Sequence, residues 1–122
     1  MKLHFPFIGK HAPALKDLFA QRGIRFGMAG EYYQFESSVS LPIVTRHAAT
    51  FTSEVSMKME YTQPVSGMWN FTYADKLVQY CQYYGIAVHG HCGVWHMQNP
   101  DWLPAALVWA MRKSVIICCP GM

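Results

Sequence analysis

The sequence predicts a single α/β domain with three or four parallel strands. A helix is expected from Thr72, because Leu77 and Cys81 recur on one helical face and Gly85 follows as a stop signal. The run Ile86–Val88 then begins a strand directly after this helix. Strand, helix and strand in this order form a βαβ unit, which requires parallel strands and a right-handed crossover.

The other elements are predicted from periodicity and from Gly and Pro punctuation. In chain order they are a helix over Pro13–Arg22, a strand over Ile24–Ala29, a loop with a short helix over Glu31–Val44, a strand in the first half of Phe51–Met59, a loop over Tyr61–Asn70, a helix over Pro104–Lys113 and a strand over Ser114–Cys119. Thr72 and Asp75 resemble a capping box at the start of the central helix, and Asp75 is expected to act as a helix cap.

The composition indicates a chain that buries part of its surface against something else. Its 122 residues suit one domain over 1–122, and they are 52% hydrophobic but only 14% charged. A typical domain has about 25% charged residues, and a small one normally needs polar residues to cover its surface. We therefore expect either a partner chain or a missing part of the same fold.

Several classes of function are disfavoured. The net charge of +3 is scattered, and the longest basic run is the pair Arg112–Lys113, so no nucleic-acid partner is indicated. The longest apolar stretch, Ala105–Met111, is far shorter than the ~20 residues of a membrane span. His4 and Pro6 interrupt the N-terminus, which does not resemble a signal peptide, and the sequence leaves localisation open.

The four cysteines show no disulfide framework, since none are spaced as C-x-x-C and two of them are adjacent. They are Cys81, Cys92, Cys118 and Cys119. Free Cys packs as a small hydrophobe, so buried free thiols are the simplest interpretation. The redox compartment of the chain stays open.

The densest cluster of chemically active side chains is HGHCGVWHMQNPDW, residues 89–102. It follows a predicted strand, and ligand sites in parallel α/β folds are built at the carboxyl ends of strands. Indole faces can cover the C–H faces of a sugar ring while Gln, His and Lys bond its hydroxyls, so the mixture suits a sugar pocket. A zinc site of His89, His91 and His96 is the alternative, and core or interface packing is another use for Trp95 and Trp102.

This run resembles the segment R-G-H-T-L-V-W-H-x-Q-x-P-x-W of glycoside hydrolase family 10, the endo-1,4-β-xylanases. Upstream, TSEVSMKME is similar to that family's T-x-E-N-x-M-K-W, and GMWNFTYADKLVQYCQYYGIAVHGH to its G-x-F-x-F-x-x-A-D-x-x-V-x-F-A-x-x-N-G. LKDLFAQRGIRFGMA resembles the family's opening helix and first strand. The resemblance covers roughly residues 14–103 and implies the first three or four β/α units of a (β/α)8 barrel, whose full form needs about 250 residues.

The resemblance also implies a set of sugar-binding residues on the glycone side of a xylan cleft. Glu54 and Lys58 correspond to binding residues after the second strand, where they would together hold a pair of hydroxyls. After the third strand, the corresponding sugar contacts are His91, Trp95 and Gln98. His96 is expected to support them.

Some family residues are replaced. Val55 stands where the family has Asn, Met59 where it has Trp, and His89 where it has Arg, while Cys92–Gly93 replaces Thr-Leu. The W-D-V-x-N-E and T-E-x-D motifs, which carry the two catalytic glutamates of the family, do not occur, and residues 103–122 diverge.

The resemblance therefore implies a xylanase-like fragment that binds xylan or xylo-oligosaccharides but is inactive alone, without metal or cofactor. The alternative is a non-catalytic, self-associating α/β domain with weak or no sugar binding. In both cases we expect a homo-oligomer, as a dimer or by domain swapping, because half a barrel leaves unpaired strand edges.

Overall fold

Three parallel strands form the sheet of this protein. The computed structural model describes residues 12–104 and Leu107. The elements are α1 (Leu15–Ala20), β1 (Gly27–Gly30), α2 (Tyr33–Glu36), α3 (Ser40–His47), β2 (Thr50–Ser53), α4 (Met59–Thr62), α5 (Thr72–Tyr83) and β3 (Ala87–His89).

The strand order is β1-β2-β3, with both pairings parallel. Phe51 in the central strand pairs with Met28 on one side and with Val88 on the other. Since α5 connects β2 to β3, the predicted βαβ unit is confirmed. Every strand therefore ends at the same edge of the sheet.

The core lies between the sheet and the helices that connect its strands. Leu77 and Cys81 of α5 are completely buried, as the predicted helical face requires, and Phe51 of β2 is buried among them. Phe35 from α2 packs edge-on against Phe51 with ring centroids 5.0 Å apart, and it stacks on Tyr80 at 5.5 Å. This aromatic packing joins α2 to the sheet and to α5.

Two glycines in β1 allow the chain to pass very close to its neighbours. A Cβ at Gly27 would lie 2.3 Å from the hydroxyl oxygen of Thr50, and one at Gly30 would lie 2.9 Å from the ring of Phe51. Neither distance is possible for a real side-chain carbon without movement of the contacted group. Glycine at these positions therefore sets the spacing of β1 from β2 and from the core.

The segment 31–44, expected to be a loop with one short helix, forms α2 and most of α3 instead. Pro42 is accommodated because it is the third residue of α3, where its missing N–H would have no helical partner. The hydroxyl of Ser37 accepts hydrogen bonds from the backbone N–H groups of Val39 and Ser40, each at 3.3 Å, and so caps the start of α3.

The other boundaries differ from the predictions by a few residues. The first helix is shorter than Pro13–Arg22, and β1 begins three residues later than predicted and includes Gly30. The predicted capping box of Thr72 and Asp75 is wrong, because neither side chain caps the start of α5. The side-chain oxygen of Asn70 instead accepts the backbone N–H of Thr72 at 3.2 Å.

The predicted helix over 104–113 and strand over 114–119 fall outside the described residues, apart from Pro104 and Leu107. Cys118 and Cys119 fall there too, whereas Cys81 and Cys92 are both free thiols. Among the described residues, the helices are all too short or too polar to cross a membrane.

Candidate functional site

The loops that follow β2 and β3 hold all six residues that the sequence nominates as sugar contacts. Glu54 is the first residue after β2, and Lys58 lies four residues further on, just before α4. His91 follows β3 closely, and Trp95, His96 and Gln98 continue the same loop. Because the strands are parallel and adjacent, these loops leave the sheet side by side.

Lys58 and Trp95 form the central contact of the site. The ammonium nitrogen of Lys58 lies 4.7 Å from the centroid of the Trp95 ring, while the Lys58 side chain is only 5% exposed. A cation at this distance from an indole face is attracted by about 0.5–2 kcal/mol, with the larger values where water is excluded. The ring of His96 packs edge-on against the same indole, with centroids 4.9 Å apart.

Hydrogen bonds to backbone carbonyls connect the segment around α4 to the loop after β3. The N–H of Glu60 donates to the carbonyl of Gln98 at 3.2 Å, and the indole N–H of Trp102 donates to the carbonyl of Gln63 at 2.9 Å. Within the second loop, the amide of Asn99 donates to the carbonyl of Trp95 at 2.6 Å. Gln98 has a left-handed backbone with φ of 53°, and the peptide bond between His91 and Cys92 is cis.

The remaining nominated residues differ in exposure. Glu54, His91 and His96 are exposed, and Gln98 is half-buried. Among the described residues, the ion pairs comprise only Lys76 with Glu36, so Lys58 and Glu54 do not neutralise each other. Their joint hold on a sugar hydroxyl pair stays a prediction.

The zinc alternative finds no support in the geometry of the described residues. Across residues 12–104, no group of three His, Cys, Asp or Glu side chains is arranged to hold a metal ion. His89 is directed to the sheet instead, with its Nδ1 atom 3.3 Å from the hydroxyl of Thr52.

Glu31, which lies in no sequence motif, organises the loop after β2. Its Oε1 atom accepts hydrogen bonds from the hydroxyl of Ser53 at 2.9 Å, the N–H of Val55 at 2.6 Å and the N–H of Ser56 at 3.0 Å. Burial raises the pKa of Glu31, but the hydrogen bonds outweigh it, mainly those from Ser56, and the pKa lies below its ordinary value. The sequence feature that could have pointed to Glu31 is its place as an acidic residue just after a predicted strand.

Comparison with known proteins decides the family. The family model for Glycosyl hydrolase family 10 matches residues 14–116. The chain belongs to glycosyl hydrolase family 10. Among family members, endo-1,4-beta-xylanase A of Caldicellulosiruptor sp. (strain Rt8B.4) is 36% identical over 78 residues, which are 64% of this chain and 11% of that protein.

Comparison with solved structures agrees with this assignment. Xylanase 10B from Thermotoga petrophila RKU-1 in complex with xylobiose gives a TM-score of 0.66 at 30% identity, over 73% of this chain and 28% of the other. A mutant structure in complex with xylotriose gives a TM-score of 0.68 at 26% identity, over 84% of this chain and 33% of the other. The chain thus spans between a tenth and a third of the length of these relatives, and its parallel sheet fits a partial (β/α)8 barrel.

Proposed function

We propose that this chain is a xylan-binding portion of a family 10 xylanase fold, and that it contacts the glycone part of a xylan chain. The observation that carries the proposal is the buried ammonium of Lys58, held 4.7 Å from the Trp95 ring. By the sequence resemblance both residues correspond to sugar contacts of the family, and both belong to loops at the carboxyl edge of the sheet.

The chemistry of these groups suits a neutral sugar. An indole face covers the apolar C–H face of a pyranose, and the ammonium donates up to three hydrogen bonds to ring hydroxyls. The exposed side chains of Glu54 and His91 and the half-buried side chain of Gln98 supply further donors and acceptors. The xylobiose and xylotriose complexes of the structural relatives support xylo-oligosaccharides as the ligand class.

Calorimetric titration of the chain with xylotriose tests this proposal. We expect the Trp95→Ala and Lys58→Met variants to bind at least about tenfold more weakly than the unmodified chain, since each removes one side of the central contact. Trp69→Ala is the matched control, because Trp69 is exposed on the segment before α5 and should leave the affinity unchanged. Equal affinity in the Trp95 variant would overturn the proposal.

We further propose that the chain does not hydrolyse xylan by itself. Retaining glycosidases place two carboxyl groups about 5–5.5 Å apart on either side of the scissile bond. The two family motifs that carry these groups are missing from the sequence, which leaves Glu54 as the one cleft carboxylate that the resemblance assigns, in a binding role. An aryl β-xylobioside should therefore give no more product with the chain than with its Glu54→Gln variant. Turnover that the substitution abolishes would contradict this.

Self-association is a third proposal, which rests on the two edge strands that the described part of the sheet presents. Within the described residues β1 and β3 are edge strands, and Ile24, Val39 and Ile43 present exposed apolar side chains. Two copies that share these surfaces would complete the pairing of both edges. Light scattering at micromolar concentration should find a dimer or larger species, and a stable monomer would exclude it.

A further inference from the structure

The segment 64–73, which joins α4 to α5, contains the tripeptide Asn70-Phe71-Thr72. This tripeptide fits the pattern N-x-[ST], with x other than Pro, which marks an acceptor asparagine for N-linked glycans. A pattern this short also arises by chance, so its structural context decides whether the asparagine can carry a glycan. Because a glycan is bulky and hydrophilic, the asparagine must lie on the surface of the folded chain with its amide nitrogen free.

The position of Asn70 on the surface meets the first requirement. All ten residues of the segment 64–73 are exposed. The backbone is held in place nevertheless, because the N–H of Asn70 donates to the carbonyl of Thr62 in α4 at 2.9 Å. A glycan attached here would extend from the surface, so the chain could fold without placing it in the core.

The side-chain amide of Asn70 meets the second requirement. Its Oδ1 atom accepts the backbone N–H of Thr72, the first residue of α5, at 3.2 Å, which forms an Asx-turn. Its Nδ2 atom donates no hydrogen bond to the described residues. N-linked glycosylation replaces one hydrogen on Nδ2 and leaves Oδ1 a carbonyl oxygen, so the glycan and the Asx-turn are compatible.

The third residue of the tripeptide supplies the hydroxyl that the pattern requires. Thr72 is exposed, and its side chain does not cap α5. The hydroxyl is therefore not committed to the start of the helix.

We propose that Asn70 is an acceptor site for an N-linked oligosaccharide. The donor is an oligosaccharide joined through pyrophosphate to a lipid carrier. Nδ2 forms a bond with the anomeric carbon of the oligosaccharide, the bond from that carbon to the pyrophosphate oxygen breaks, and the lipid pyrophosphate leaves with the bonding electrons. The proton lost from Nδ2 passes to solvent. The inference does not depend on the proposed function, since none of the three residues is a predicted sugar contact.

Translation of the full chain behind a secretion leader, in the presence of endoplasmic reticulum membranes, tests the site. We expect one additional, slower band on a denaturing gel, which disappears after treatment with an amidase that removes N-linked glycans. The amidase leaves aspartate at position 70, where peptide mapping by mass spectrometry should find it.

Four variants identify the acceptor. Asn70→Gln and Thr72→Val should lose the slower band completely, whereas Thr72→Ser keeps the pattern and should retain the band. Asn99→Gln is the matched control, because Asn99 is the other asparagine of the chain and Pro100 follows it. This variant should show the same slower band as the unmodified chain.

Two results would overturn the proposal. One is the absence of a slower band from the unmodified chain while a reference glycoprotein is modified in the same membranes, and the other is a slower band that persists in Asn70→Gln. Thermal unfolding of the purified chain with and without its glycan then tests the orientation of the amide. We expect equal midpoints because the bond from Thr72 to Oδ1 is kept, and a clearly lower midpoint for the glycosylated chain would contradict that orientation.

Discussion

The backbone N–H of Val55 donates a 2.6 Å hydrogen bond to Oε1 of Glu31, which joins the loop after β2 to the end of β1. The same oxygen also accepts from Ser53 and Ser56. One carboxylate thus holds the loop after β2, from which Lys58, just before α4, reaches Trp95. The stability of this loop should therefore depend on the charge of Glu31.

The first prediction concerns the stability of the protein at acidic pH. Because the folded-state pKa of Glu31 lies below its ordinary value of 4.5, the unfolded chain binds this proton more readily. The stability that ionised Glu31 contributes is fully present above pH 4.5. It is lost as the pH falls from 4.5 through the folded-state pKa. Glu31→Gln should lower the free energy of unfolding at neutral pH by about 1–3 kcal/mol, with a smaller loss at about pH 3.5. Urea unfolding at both pH values measures this.

Glu60→Gln is the matched control for that experiment, since Glu60 is exposed and its side chain makes no hydrogen bond or ion pair within the described residues. It should leave the neutral-pH stability nearly unchanged. If the Glu31 and Glu60 variants behave alike, the carboxylate of Glu31 does not stabilise the loop.

The second prediction concerns the contact between β1 and β2. Gly27→Ala would place a Cβ 2.3 Å from the hydroxyl of Thr50, so the strands must shift, at a cost of about 1–3 kcal/mol. Thr50→Ala removes that hydroxyl, and the double variant should recover part of the loss. Gly90→Ala, which meets nothing within 4 Å, provides the comparison. Chemical denaturation of the four variants measures the coupling, and strictly additive losses would argue against the contact.

The third prediction concerns the start of α3. Ser37→Ala removes the hydroxyl that accepts the N–H groups of Val39 and Ser40, and it should destabilise the protein by about 1 kcal/mol. Ser38→Ala changes the adjacent, exposed serine, which forms no such bond in the described residues, and it should have little effect. Thermal unfolding of the two variants side by side decides between a cap and an ordinary surface serine.

The fourth prediction concerns the thiols of Cys81 and Cys92. Burial raises the pKa of Cys81 to about 11, so almost none of it is the reactive thiolate at about pH 8.5. Cys92 is only half-buried. Iodoacetamide followed by peptide mapping should find Cys92 modified well before Cys81, and Cys81 modified only after denaturant is added. Modification of both at one rate in the native protein would contradict this packing.

Elements with a regular pattern were predictable from the sequence. The apolar face of Leu77 and Cys81, followed by Gly85 with its positive φ, gives α5 its position. The helix α2 spans only four residues, too few to show a helical period, and α3 contains Pro42, which argues against a helix in the sequence. Phe35 packs on Phe51, sixteen residues later in the sequence, and no local pattern records that contact.

In the candidate site, too, some residues were predictable from sequence patterns and others were not. Lys58 and Trp95 lie in motifs with fixed spacing, so the sequence could nominate both, and the structure brings them together. Glu31 lies in no motif, and two of its three partners are backbone N–H groups, which have no residue-type signature.

The hydrogen bond from the N–H of Glu60 to the carbonyl of Gln98 makes one amide proton a reporter for a different loop. Opening of the loop after β3 exposes this proton to solvent even while α4 stays folded, because its acceptor belongs to that loop. Its rate of hydrogen exchange therefore follows the motion of the loop that carries Trp95. A sugar that restrains that loop should slow the exchange at Glu60, although Glu60 is not among the residues predicted to contact sugar.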